Sequence, residues 1–200
     1  MEEYLLLTSE GFQVYKTLGR GAFGQVFLVH HPDTGVVAAK VMKNENFDEN
    51  EWNITKLLNN EPPQTFPFII RSIMARQFST FTVILMEYAN QKNLFDMIKT
   101  NDNLSTPIIR VIMKQLLQGL NYIHSKGIVH RDIKGGNIML HNPPGSRRII
   151  IQIGDFGEVK ISEGNPMRTM IMSQKGTNAF MAPELFLGNS KGPVVADAKV

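Results

Sequence analysis

Between residues 12 and 42 apolar and polar residues alternate, and glycines, His31-Pro32 and Thr34-Gly35 break the alternation. A period of two puts successive side chains on opposite faces, so this stretch predicts strands joined by turns. Asp33-Thr34-Gly35 reads as a hairpin-type turn between the second and third strands. Over residues 48–59 the period lengthens to that of a helix. Trp52, Leu57 and Leu58 are its expected packing residues, and Glu61-Pro62-Pro63 is its stop. Residues 83–86 form a short apolar run, the signature of a buried strand, and lead straight into Glu87-Tyr88-Ala89.

Beyond that point the pattern is mainly helical. Ser105 or Thr106 is placed to cap a helix with Pro107 in its first turn, and Ile108, Ile109, Ile112, Leu116, Leu120 and Ile123 recur at helical spacing. That stripe is expected to be core. Asn142-Pro143-Pro144-Gly145 marks a turn between two short strands, and residues 143–148 lengthen that hairpin toward solvent. Strand-rich sequence followed by helix-rich sequence predicts an α+β chain with two lobes, the boundary lying near residues 87–93.

Composition narrows the class. The chain has 200 residues, 42% of them hydrophobic, a net charge of +3 spread along its length, and no cysteine. These values describe an ordinary globular chain. They disfavour a nucleic-acid-binding surface, exclude disulfides and thiolate metal sites, and fit a reducing compartment. No apolar run is long enough to span a membrane, and Glu2 and Glu3 stand where a secretory signal would be basic. A cytoplasmic location is expected, with the nucleus open as a second one, and neither nucleic acid nor membrane is expected as a partner.

The chemistry is concentrated in two motifs. His130-Arg131-Asp132-Ile133-Lys134-Gly135-Gly136-Asn137 is followed, eighteen residues after Asn137, by Asp155-Phe156-Gly157. Moving a phosphoryl group from a nucleotide–Mg²⁺ complex to a hydroxyl needs one carboxylate to orient the hydroxyl and another to bind metal. It also needs a lysine to neutralise charge and an amide oxygen as a further metal ligand. Upstream, Gly19-Arg20-Gly21-Ala22-Phe23-Gly24-Gln25-Val26 spells a glycine loop whose backbone N–H groups can approach phosphates closely. A dinucleotide-binding turn shares this spacing, but the flanks are strand-like and no strand–helix–strand unit follows, so a hairpin lid is expected. Lys40, at the end of Ala38-Ala39-Lys40, is the candidate phosphate contact. Glu51 on the next helix is its expected counter-ion, with Glu49 as the competitor.

Taken together, these segments resemble the eukaryotic protein kinase family, serine/threonine type. The glycine loop (19–26), AxK (38–40), HRDIKGGN (130–137), DFG (155–157) and GTNAFMAPE (176–184) stand in family order over nearly the whole chain. The resemblance implies a bilobal fold, with an antiparallel N-lobe sheet and one helix over about 8–88 and a helical C-lobe from about 94. It implies ATP and Mg²⁺ as cofactors and protein Ser/Thr hydroxyls as acceptors. By resemblance Asp132 is the hydroxyl-orienting base, Lys134 the γ-phosphate contact, and Asn137 and Asp155 the Mg²⁺ ligands. Met86 resembles the residue behind the adenine, and Glu87 and Ala89 resemble residues that bond it through their backbones. Leu18, Val26, Ala38 and Met139 resemble the apolar surround of the ring, and Asn93 a ribose contact. Lys134 and Thr177 both resemble the serine/threonine class, where that hydroxyl bonds the catalytic Asp and Lys. The IKGGN and FMAPE wording is similar to the sterile-20-like and mitogen-activated kinase-kinase-kinase groups.

Arg131 beside Asp132 resembles kinases switched by a phosphate on the activation segment (155–184), added by an upstream kinase or by autophosphorylation in trans. The candidate hydroxyls are Ser173, then Thr169, with Thr177 and Ser162 also in the segment. Two departures from the family pattern stand out. Thr55, four residues after Glu51, replaces a bulky apolar residue, which predicts about 1 kcal/mol of lost burial or a different helix register. The family continues after Ala182-Pro183-Glu184 into a buried helix with a tryptophan motif, whereas Trp52 is the only tryptophan here. The expectation is therefore a piece of a larger kinase domain. The alternatives are an ATP-binding, pseudokinase-like interaction module and, less in keeping with residues 177–184, a small-molecule kinase.

Overall fold

The computed structural model describes residues 1–21, 24–59, 67–100, 104–161, 170–172, 176–186 and 194–196. It divides into two units. The first comprises Met1–Asn60 and Ile70–Tyr88, and the second Glu61–Ile69 and Ala89–Val200.

The first unit begins with helix α1 (Glu2–Ser9), which the alternation pattern gives no hint of, and continues into strands β1 (Gln13–Gly21), β2 (Gly24–His31) and β3 (Gly35–Lys43). Helix α2 (Glu49–Asn59) and strands β4 (Ser72–Gln77) and β5 (Phe81–Met86) complete it. The strands form one five-stranded antiparallel sheet in the order β1-β2-β3-β5-β4. The β2–β3 connection is the expected turn: His31 pairs with Gly35, whose φ of 69° a side chain would disfavour.

Directly opposed residues in an antiparallel sheet share a face, so the register sorts the side chains. Phe27, Ala39 and Leu85 form one row across β2, β3 and β5. Together with Val29, Val37, Val41, Phe81 and Val83 they build a core that Leu7 of α1 closes. α1 is also tied to the sheet by an ion pair between Glu10, just past its end, and Arg76 of β4 at 2.9 Å. The opposite face carries the rows Val26–Lys40–Ile84 and Leu28–Ala38–Met86.

In α2, Ile54, Thr55 and Leu58 are buried, Trp52 is half-buried and Leu57 is exposed. This corrects the expectation for Leu57, because the helix turns the 54–55–58 stripe inward and carries Leu57 round to solvent. Thr55, four residues after Glu51, lies on the buried stripe.

The second unit contains helices α3 (Leu94–Lys99) and α4 (Thr106–Ser125) and strands β6 (Ile128–Val129), β7 (Ile138–His141), β8 (Ile150–Ile153) and β9 (Lys160–Ile161). Beyond these lie β10 (Met170–Met172), helix α5 (Pro183–Phe186) and β11 (Val194–Ala196). β6 pairs with β9, β7 with β8 and β10 with β11, all antiparallel. Ser105 is the N-cap residue of α4 with Pro107 in the first turn, but its hydroxyl makes no capping bond.

The expected core stripe of α4 is only partly buried. Ile112 and Ile123 are buried, Leu116 and Leu120 are half-buried, and Ile108 and Ile109 are exposed. The helix packs through its C-terminal half, where Gly119 lets it approach β8. A Cβ there would sit 2.9 Å from Ile153 Cδ1 and 3.3 Å from Phe68. No helix among the described residues is long and apolar enough to cross a membrane.

Leu7 is fully buried while Leu5 is 60% exposed, so the same truncation on α1 has two outcomes. Leu7→Ala is expected to cost the first unit about 2–5 kcal/mol and Leu5→Ala about 0.5 kcal/mol or less, read as shifts in the urea midpoint.

Candidate active site

Strand β6 consists of two buried residues, Ile128 and Val129, and delivers a buried His130 to its end. Both ring nitrogens are engaged. Nε2 lies 3.1 Å from Gly154 O, and Nδ1 accepts the Asp132 N–H at 3.3 Å. A carbonyl on one side and an N–H on the other fix the neutral Nε2–H tautomer. Burial pushes the His130 pKa below the usual histidine value. The Gly154 carbonyl and the charges of Asp155 and Asp132 work the other way, and Lys134 adds to the lowering. His130 thereby joins the segment before Asp155 to the segment that carries Asp132, and its ring also lies 5.0 Å from that of Phe156.

Asp132 is 7% exposed and is surrounded by donors. Oδ1 accepts from Thr177 Oγ1 at 2.7 Å and from Thr177 N–H at 3.0 Å. Oδ2 accepts from Lys134 Nζ at 2.7 Å and from Asn137 Nδ2 at 2.9 Å. These four bonds use the roughly four lone-pair sites that a carboxylate offers. Burial is the largest single influence on its pKa and raises it. The bonds from Lys134, Thr177 and Asn137 and the Lys134 charge outweigh burial, so Asp132 is held below the ordinary aspartate value. Lys134 Nζ also donates to Thr177 Oγ1 at 2.7 Å, which leaves one of its three donors. Asn137 Nδ2 makes a second bond to Asp132 O at 2.9 Å.

Thr177 reaches the site because Gly176 precedes it. Gly176 has φ of 109°, and a Cβ there would collide with the backbone carbonyl of Arg131. Among the described residues, the non-glycine residues with positive φ are Arg131, at 65°, and Asp155, at 64°. A left-handed backbone at such residues costs of order 1–3 kcal/mol each and collects at functional sites. Here it brackets Asp132 and the DFG segment. The half-buried Arg131 guanidinium donates to Glu158 O at 2.5 Å and to Val159 O at 3.3 Å, just past that segment. Burial lowers its pKa, opposed by the Glu158 charge.

The β7–β8 hairpin closes the eighteen-residue gap between Asn137 and Asp155. Ile138 pairs with Ile153, and Gly154 N–H donates to Asn137 O at 2.9 Å, so both residues emerge at one end. With Nδ2 of Asn137 committed to Asp132, its Oδ1 forms the amide's other end. An amide oxygen and a carboxylate are hard oxygen ligands that suit Mg²⁺, an ion that takes most of its ligands from water and phosphate. No group of three or more His, Cys, Asp or Glu suited to a metal occurs among the described residues.

In the first unit the register places Val26, Ala38, Lys40 and Met86 on one face of the sheet. Leu18 is unpaired at a bulge of β1 between Thr17 and Gly19 and is 39% exposed. At the β1–β2 turn Arg20 pairs with Gln25 and Gly21 with Gly24. Among the described residues a Cβ on Gly19 would meet nothing within 4 Å and one on Gly21 only Gly24 O at 3.9 Å, so they leave the backbone there open to an approaching anion. Gly24 differs: a Cβ there would collide with Val41 O of β3, so this glycine serves packing.

Glu87 N–H donates to Arg71 O at 2.9 Å and its carboxylate accepts from Arg71 N–H at 3.4 Å. Ala89 is buried at the start of the second unit, and its N–H has no acceptor among the described residues. Asn93 caps α3, its Oδ1 accepting from Asp96 N–H at 2.8 Å, and forms a β-bridge with Met139. Ala22, Phe23, Ser162, Thr169 and Ser173 lie outside the described residues, as does the side chain of Glu51, while Glu49 opens α2 and is exposed.

The protein kinase domain family matches residues 12–197. This chain is a protein kinase domain by family. Its relatives include the serine/threonine-protein kinase chk-1 of Caenorhabditis briggsae, 32% identical over 196 residues that cover 94% of this chain and 38% of the relative. Human mitogen-activated protein kinase kinase kinase 3 is 34% identical over 188 residues, 88% of this chain and 29% of the relative. The serine/threonine-protein kinase SRK2G of Arabidopsis thaliana is 35% identical over 176 residues, 87% of this chain and 47% of the relative. The kinase chain thus spans less than half the length of these curated relatives.

Sequence reasoning gave His130 and Gly176 of this kinase no role. The apolar pair Ile128-Val129 signals that the next residue is carried into the interior, and a glycine beside the key threonine signals a close backbone approach. Both signals were present in the chain.

His130 and Asp132 each bind protons more weakly folded than unfolded, so their contributions to stability are present at neutral pH and lost on acidification. The loss for His130 begins as pH falls through its ordinary value of about 6.5, and the half-buried His124, its pKa lowered by burial, adds with the same sign. The urea midpoint is expected to fall between pH 7 and pH 5, and to fall less in His130→Gln.

Proposed function

We propose that this kinase chain transfers the γ-phosphoryl group of ATP to Ser or Thr hydroxyls of proteins. The observation that carries the reading is the Asp132–Lys134–Asn137–Thr177 cluster, with one lysine donor still to be filled. The Asp132 carboxylate orients the acceptor hydroxyl and takes its proton, and the Lys134 ammonium, turning from Oδ2, binds a γ-phosphate oxygen. With all its lone pairs engaged, Asp132 can accept a hydroxyl only if one donor withdraws. Lys134 is the donor that phosphate attracts, so phosphate capture by Lys134 frees Oδ2 for the substrate.

Asn137 and Asp155 are proposed to hold Mg²⁺, which supplies neutralisation of charge on the phosphates. Gly19 and Gly21 offer backbone N–H groups to phosphate, Lys40 a cation paired with Glu51, and Glu87 and Ala89 backbone groups to the adenine. Val26, Ala38, Met86, Leu18 and Met139 supply apolar surface. Asn93 contributes its free amide nitrogen to the ribose, its oxygen being occupied by the helix cap. Phosphorylation of Ser173 or Thr169 by an upstream kinase or a second copy is proposed as the switch. The lack of cysteine supports the cytoplasm as the place of action.

The deciding experiment is transfer of labelled γ-phosphate to a generic basic protein by the whole protein. Asp132→Asn is expected to lower kcat by at least about 10²–10⁴-fold. Tight Mg·ATP binding with no transfer by the wild type would instead select the inactive binding module.

Thr177→Val removes the hydroxyl from Asp132 Oδ1 and the acceptor from Lys134 while keeping the shape. It is expected to lower kcat about ten- to a hundredfold, with Thr177→Ser close to wild type, in steady-state assays with a serine peptide.

A further inference from the structure

The β7–β8 hairpin has only four cross-strand pairs, from Ile138–Ile153 to His141–Ile150. Its connection, residues 142–149, is longer than the tight turns that set hairpin register by themselves. A two-stranded ribbon of this kind is marginal alone. Its outer edges nevertheless find partners, and at one point on each edge the partner is a side-chain amide.

On the β7 edge the backbone of 91–93 lies alongside: Gln91 N–H donates to Leu140 O at 3.0 Å, and Asn93 bridges Met139. Next to it Asn90 continues with its side chain. Oδ1 accepts from Asn142 N–H at 2.8 Å and Nδ2 donates to Asn142 O at 2.7 Å. This is the two-bond exchange that a residue on an antiparallel neighbour makes with its main chain.

On the β8 edge Phe68 O accepts from Ile153 N–H at 2.8 Å, and Ile69 forms a parallel bridge with Ile153. Gln115, reaching from α4, continues that line. Oε1 accepts from Ile151 N–H at 2.8 Å and Nε2 donates to Ile149 O at 3.2 Å. Bonds that straddle a single residue, here Ile150, are those of a parallel neighbour. Ile151 is fully buried, so its N–H has no recourse to water.

We propose that Asn90 and Gln115 are positioning residues, whose amides stand in for missing strands and fix the register of the hairpin that presents Asn137 and Asp155. The inference rests on the kinase reading above. A slip of one residue would move one of the two by about 3.3 Å and turn the strand's side chains to the opposite face. Asparagine and glutamine suit the task because one planar group both donates and accepts. A carboxylate of the same shape keeps the acceptor, loses the donor and faces a carbonyl.

The test compares Asn90→Asp, Asn90→Ala, Gln115→Glu and Gln115→Met with the wild type in the whole protein. Three readouts apply: amide exchange at Asn142 and Ile151 by NMR, Mn²⁺ affinity by water-proton relaxation with a non-hydrolysable ATP analogue, and KM against kcat. The expected result is at least about tenfold faster exchange at the matching amide, and about tenfold weaker Mn²⁺–nucleotide binding and higher KM for Mg·ATP. The KM for peptide should be unchanged. Unchanged exchange overturns the proposal. So does a wild-type Mn²⁺ affinity in Gln115→Glu and Asn90→Asp with only a lower melting temperature. A wild type that binds Mn²⁺–nucleotide but transfers no phosphate sinks the kinase reading alone, because the metal readout still judges the two amides.

Discussion

A carboxylate buried as deeply as Asp132 cannot stay ionised without donors, and satisfying it organises much of the second unit. Its partners come from two stretches of the chain: Lys134 and Asn137 just downstream, and Thr177 from far beyond. Three separate devices hold the arrangement. The 3₁₀ turn Gly135–Asn137 presents the amide, Gly176 admits the threonine, and His130 secures the Asp132 N–H. The left-handed backbone at Arg131 and Asp155 is the strain that remains once these demands are met.

The two units handle polar groups differently. In the first, the register of a single antiparallel sheet sorts apolar core from the Lys40 face, and main-chain ladders do most of the work. In the second, the described sheets have two strands each, so side chains complete what backbone ladders leave open. Histidine, asparagine and glutamine all serve in this way, since each can donate and accept at once. Side-chain identity matters more there than strand propensity.

Much of this was legible in the chain. Period-two alternation located the first strands and their turn at Asp33–Gly35, and Pro107 located the start of α4. Motif spacing located the residues that converge on Asp132. What stayed hidden has common physical causes. α1 has no apolar stripe to reveal it, because only Leu7 of its residues is buried. Leu57 and the Ile108–Ile109 end of α4 have the right spacing for a core, but burial depends on what lies opposite, which periodicity does not encode. Arg131, and the amides of Asn90 and Gln115, bond to backbone groups tens of residues away. A backbone carbonyl leaves no mark on the sequence.

The hydroxyl of Thr177 has a double engagement: it donates a hydrogen bond to Asp132 and accepts one from Lys134. Esterified with phosphate, the same oxygen would lose its proton and bring a dianion against a carboxylate at bonding distance. A modified Thr177 and this arrangement of Asp132 are therefore mutually exclusive. Although it lies in the activation segment, Thr177 in this arrangement is a fastener of Asp132, and a phosphate on its hydroxyl would undo that fastening.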